Sequence, residues 1–161
     1  MTQEDDLNRF LEHFPIEADL TLQILKGHLL VEEAVREAFD ISLENKAALR
    51  SKSGANFSCH QMICLLEASV PAKGGVPWIW KACKMLNRIR NDLAHKLDTP
   101  DLERKVQEFV RYCLNSDANI QLEGRKAKFP EDSEFVLVIA SMAACLASLK
   151  EVLVRRKSYL A

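Results

Sequence analysis

The chain has no excess of either charge, no paired-cysteine motif and no apolar run long enough to cross a bilayer, and each absence removes a class of function. Lysine and arginine number 22 against 23 acidic residues, for a net charge of −1. No global basic field advertises nucleic acid, so an RNA contact would have to come from a local patch or from the combined surface of a dimer. Cys59, Cys64, Cys83, Cys113 and Cys145 are an odd set, scattered among apolar neighbours without a CxxC spacing. That pattern fits reduced thiols in a cytoplasmic protein and argues against a disulfide framework. The opening MTQEDDLNRF is acidic and carries no apolar signal core. The longest apolar run, FVLVIASMAACLASL from Phe135 to Leu149, has 15 residues. A bilayer requires about 20, so the run reads as a buried helix with no membrane partner.

Period-two alternation bounded by turns is nearly missing too, which leaves little room for strands. Apolar residues recur instead at helical spacing, and 161 residues are enough for one domain with its own core. The expectation is an all-α, single-domain bundle of five to six helices spanning 1–161. A short helix is predicted over Gln3–His13 and stopped by Pro15. A second follows over about Ile16–Phe39, with Leu22, Leu25, Leu29, Val35 and Ala38 as its core stripe and Glu17 and Asp19 at its positive end. Ser42 is expected to cap a short helix through Leu49, and RSKSGAN to connect it to a helix over Phe57–Ala68.

PAKGGVP, residues 71–77, puts two prolines and two glycines into seven positions. It is the sharpest break in the chain, and it leaves Pro77 in the first turn of a helix running to His95. Thr99 and Pro100 form a cap and first-turn pair for a helix to about Leu114. The polar stretch NSDANIQLEGRKAKFPEDSE reads as a loop with a brief extended piece at Ile120–Leu122, and a last helix covers about Glu131–Lys157. No internal repeat, low-complexity tract or interdomain linker interrupts this pattern.

The segment LNRIRNDLAH, residues 86–95, holds the residues of most chemical interest. At about 100° per residue, Ile79, Ala82, Leu86, Ile89 and Leu93 share one narrow core stripe. Arg88, Asn91 and His95 fall together on the opposite side. Arg90 lands about 40° from Leu86, on the rim of the buried stripe. A rim arginine must pair with a carboxylate or line a cleft or subunit interface, and Glu32 and Glu33 are the natural partners within the chain. His95 at the helix end has two readings: it favours the negative end of the dipole, or it works as an acid or base.

LNRIRNDLAH resembles the RxxxxH signature of the HEPN superfamily, small helical-bundle proteins that include RNase toxins and RNA-processing or defence domains. The resemblance spans a core of about 16–114, with the last helix, about 131–157, outside it. A second resemblance is to the mannitol operon repressor group, which has a related core and similar segments. The first implies a homodimer whose two motifs meet in a cleft, RNA as substrate, cleavage without a metal or other cofactor, and a neutralising antitoxin of nucleotidyltransferase-like kind. It assigns Arg90, Asn91 and His95 as catalytic, and the helix geometry adds Glu32, Glu33 and Arg88 as supporting residues. The second implies a non-catalytic transcriptional regulator or interaction module.

Other candidates carry less. The spacing of Cys59, His60 and Cys64 fits no common zinc pattern and specifies no fourth ligand. Cys83 with His95 or His60 would make a nucleophile and base, but cysteines on apolar faces are usually core. Trp78 and Trp80 could stack on bases, though two tryptophans that open a helix more often close a core or an interface. Arg155, Arg156 and Lys157 suit the negative end of the last helix better than they suit a phosphate patch.

Overall fold

The computed structural model describes residues 12–49, 56–70, 77–95, 100–116 and 134–160. The described residues contain no strand and form five α-helices: α1 Leu20–Ser42, α2 Cys59–Ser69, α3 Trp78–His95, α4 Leu102–Asn115 and α5 Glu134–Leu160. A short 3₁₀ turn at Lys46–Leu49 follows α1. The predicted Gln3–His13 helix lies outside the described residues except for Glu12 and His13, which are helical. RSKSGAN other than Asn56, PAKGGVP other than Pro77, Thr99 and the Ile120–Leu122 piece also lie outside them.

Local chemistry sets the helix ends. The Asp19 side chain accepts a hydrogen bond from the Leu22 amide at 3.1 Å, so α1 starts four residues later than the periodicity alone predicts. Ser58 and Gln61 form a reciprocal capping box at the start of α2. Ser42 does not open a short helix. Its hydroxyl donates to the Phe39 carbonyl at 2.7 Å and closes the last turn of α1. Lys157 Nζ reaches back from α5 to the Leu43 carbonyl at 2.6 Å, so that lysine staples the end of α1.

The expected core stripe of α1 is corrected by the structure. Val35 and Ala38 are buried, but Leu22, Leu25 and Leu29 are exposed, the last at 48%. The buried face is Ile24, Gly27, His28, Val31, Val35, Ala38 and Phe39. At 100° per residue these seven span about 120°, whereas Leu22, Leu25 and Leu29 point roughly the opposite way. A glycine and a histidine inside the true stripe hid it from a search for large apolar residues.

Helix α1 is the hub, packed on α2, α3 and most extensively on α5, with α4 held between α3 and α5. Most of the run from Phe135 to Leu149 is buried in that arrangement, with Val136, Val138, Ile139, Met142 and Leu146 at 0% exposure. Residues Glu134–Tyr159 are long and apolar enough to cross a membrane by length and composition, and 56% of that span's most apolar stretch is buried against the other helices.

Gly27 makes the close approach of α1 to α5 possible. A β-carbon there would lie 3.2 Å from Phe14 Cε2 and 3.3 Å from two Ile139 carbons. Ile139 is fully buried and cannot yield freely. Gly27→Val should therefore destabilise the protein by about 1–3 kcal/mol through overpacking, despite the better helix propensity of valine. Urea denaturation reads this directly; an unchanged midpoint would mean that the two helices can part at little cost.

Candidate functional site

Helix α3 carries the core face that its sequence predicts. Ile79, Ala82, Leu86 and Ile89 are buried and Leu93 is half-buried. Trp78 and Trp80 are each 7% exposed and belong to the core, so they offer no stacking platform for bases. Arg88 and His95 are exposed, while Asn91 and the rim residue Arg90 are half-buried. Arg90 Nη1 donates to Asn91 Oδ1 at 3.2 Å. The helix remains α-helical through His95. Arg90 and His95 therefore point about 140° apart on one unbroken helix, with Asn91 between them, nearer His95.

Asn87, one turn before Arg90, is buried and meets His28 of α1: His28 Nε2 lies 3.0 Å from Asn87 Oδ1. A carbonyl oxygen only accepts, so Nε2 carries the proton and Nδ1 keeps its lone pair. That lone pair faces Glu32 Oε2 at 3.6 Å, while Glu32 Oε1 accepts from Arg36 at 2.9 Å. His28, Glu32 and Arg36 share one edge of α1 through their i, i+4, i+8 spacing. Cys59, the first residue of α2, completes the cluster. One donor atom each from His28, Glu32 and Cys59 lies within 4.8 Å of the others.

The supporting carboxylates are thus distributed differently from the sequence expectation. Glu32 is beside the site, but its carboxylate bonds Arg36, and the side-chain bond of Arg90 goes to Asn91. Glu33 falls about 100° further round α1, among the exposed leucines. Arg88 lines a hollow between α3 and α4 with Ile89, Arg104, Lys105 and Glu108. A roomier groove of about 470 Å³ runs between α1 and α5, lined by Glu37, Asp40, Lys46 and Lys150 among others. Its lysines are already paired, Lys150 with Glu37 and Lys46 with Asp40, and none of the residues singled out in α3 reaches it.

Electrostatics separates the cluster from the thiol chemistry considered for Cys83. Burial pushes the Cys83 thiol well above its ordinary range, Cys113 up to about 12 and Cys145 up to about 11. Burial, reinforced by Glu32 and opposed by Arg36 and Arg90, holds Cys59 at about 11. A nucleophilic cysteine needs a depressed value, so none of these four is an activated thiol. His60 and Cys64 are a separate pair, 3.6 Å apart on exposed α2 surface.

Burial is the main reason that His28 titrates below its ordinary 6.5; the Asn87 bond and Glu32 act upward, and the Arg90 charge acts downward. The folded chain therefore prefers a neutral His28, while the unfolded chain protonates it near 6.5. The stability this contributes is complete above that pH and is lost as pH falls through 6.5 toward the lower folded value. Melting of chelator-treated protein should accordingly weaken below pH 6.5, and His28→Gln should flatten that part of the profile. An identical slope in wild type and variant would assign the acid sensitivity to other groups.

Sequence reasoning found Arg90, Asn91 and His95 but missed His28, Asn87 and Cys59 as one cluster. A usable signal was present in α1, where a histidine precedes a glutamate by four residues inside an otherwise apolar run. The juxtaposition of that pair with Cys59 is tertiary. No family model, curated protein or solved structure matches the chain.

Proposed function

We propose that the protein is a homodimeric, metal-independent endoribonuclease whose catalytic cleft combines Arg90 of one copy with His95 of the other. The observation that carries this reading is the end of α3: a rim arginine bonded to Asn91, and an exposed histidine about one and a half turns later. An unbroken helix keeps the two about 140° apart, so a shared phosphate needs a second copy. Leu25 lies within about 20° of Glu32 on α1. With Leu22 and Leu29 it gives that edge an exposed apolar face on which the second copy would pack.

The chemistry is transesterification. His95 takes the proton from a ribose 2′-hydroxyl, and the 2′ oxygen attacks the adjacent phosphorus. The bond to the 5′ oxygen breaks, that oxygen leaves with a proton from water, and a 2′,3′-cyclic phosphate remains. Arg90 donates to the non-bridging oxygens as their charge grows, and Asn91 holds the guanidinium in place. A cytoplasmic toxin or defence protein with a neutralising protein partner fits such an activity.

Incubation with RNA in EDTA, beside His95→Ala and Arg90→Ala variants, tests the reading, with the helical circular-dichroism signal confirming the fold in chelator. Cleavage that survives chelation and disappears in both variants is expected. Equal cleavage by all three proteins, or none by wild type, refutes the enzyme and leaves the non-catalytic regulator of the mannitol operon repressor type. That second reading draws on the leucine face of α1 and the near-neutral net charge of −1.

A further inference from the structure

The geometry points to a partly buried site for a zinc-class divalent cation, held by His28 Nδ1, a Glu32 carboxylate oxygen and Cys59 Sγ, with water in the fourth position. The donor set is a nitrogen, an oxygen and a sulfur, the three kinds that zinc takes in proteins. In a tetrahedral zinc site, neighbouring N and O donors stand about 3.3 Å apart, and pairs that include sulfur about 3.5 Å apart. His28 Nδ1 and Glu32 Oε2 are 3.6 Å apart, too far for a good hydrogen bond and close to that ligand spacing. All three donors lie within 4.8 Å of one another, so closing on an ion requires no more than about 1 Å of movement at each donor pair.

The groups around the donors supply the second line of support. A metal-bound histidine usually donates its other ring N–H to a fixed acceptor, and Asn87 Oδ1 stands 3.0 Å from His28 Nε2. A ligating carboxylate is usually hydrogen-bonded as well, and Arg36 holds the remaining Glu32 oxygen at 2.9 Å. Without a cation, a buried histidine lone pair and a half-buried carboxylate oxygen face each other, which is an unfavourable arrangement. A dication with a thiolate at Cys59 resolves it. Arg90 is the opposing influence, close enough for its charge to act on both His28 and Cys59. The bound ion ties α1 to α2 and, through Asn87, to α3. It takes no part in the chemistry proposed at His95.

Titrating reduced, metal-free protein with Co²⁺ tests the assignment. Expected is about one equivalent per chain bound as four-coordinate cobalt, with its intense visible bands, a thiolate-to-cobalt charge-transfer band, and displacement by Zn²⁺. Cys59→Ser, nearly isosteric and so fold-preserving, should abolish the charge-transfer band. Asn87→Ala should weaken binding by about 10–100-fold. A double variant His60→Ala and Cys64→Ser should leave the spectrum intact. Weak octahedral binding without a thiolate band, or a band that survives Cys59→Ser and disappears in the His60 and Cys64 double variant, overturns the site.

Discussion

Mixing the Arg90→Ala and His95→Ala proteins in equal amounts should restore about a quarter of wild-type RNA cleavage, although each variant alone is inactive. Each single substitution should lower cleavage by about 10²–10⁴-fold, the range associated with loss of a positioned acid–base or phosphate-stabilising group. If one cleft takes Arg90 from one copy and His95 from the other, a mixed dimer has one cleft lacking both residues and one cleft intact. Random exchange makes about half of the dimers mixed, and each has half its clefts working, which yields the quarter. An activity built within one chain predicts no recovery, because no chain in the mixture carries both groups. The same geometry predicts a particle of about 37 kDa by light scattering, twice the 18.3 kDa chain. His95 is exposed and Arg90 half-buried at the rim, so any loss of activity in His95→Ala should come without a change in melting temperature.

Phe109→Ala should be the most damaging single change to the fold, costing about 3–5 kcal/mol. Phe109 is fully buried where α4 fits between α3 and α5, and its ring centroid lies 6.0 Å from that of Phe135. Truncation loses the transfer energy of the ring and leaves a void that close-packed neighbours such as Phe135 cannot fill. Typical domains are stable by only about 5–15 kcal/mol, so this is a large share of the total. Thermal melting should drop by roughly 6–20 °C for a chain of this size. A shift under about 2 °C would mean that α4 is seated by its polar contacts instead, such as the Lys105–Asp92 pair that ties it to the last turn of α3.

Helix α3 was the most legible element because its apolar positions repeat without interruption on one face and its other face is polar. That pattern correctly located Arg90 at the rim and His95 in the open. Helix α1 was legible as a helix but not in its facing, since Leu22, Leu25 and Leu29 are large and apolar yet exposed, while Gly27 and His28 are buried. Size and hydrophobicity identify residues that can be buried. They do not identify those that must be small for two helices to touch, or polar because a partner awaits them. The cap of α1 shows the same limit on a smaller scale: Asp19 and Ser42 are both capping residue types, and only their hydrogen bonds show that one opens the helix and the other closes it.

By itself, the sequence determined that the chain is helical, that α3 has one buried face, and that an arginine and a histidine near its end lie on different sides. Those properties follow from spacing along one helix, which backbone geometry converts directly into direction. Only the tertiary structure decided that His28, Glu32, Cys59 and Asn87, drawn from α1, α2 and α3, meet in one largely buried polar cluster, and that Glu32 bonds Arg36 rather than Arg90. Such meetings depend on how whole helices pack against one another, through close approaches such as that at Gly27, and periodicity within a single helix carries no information about its neighbours.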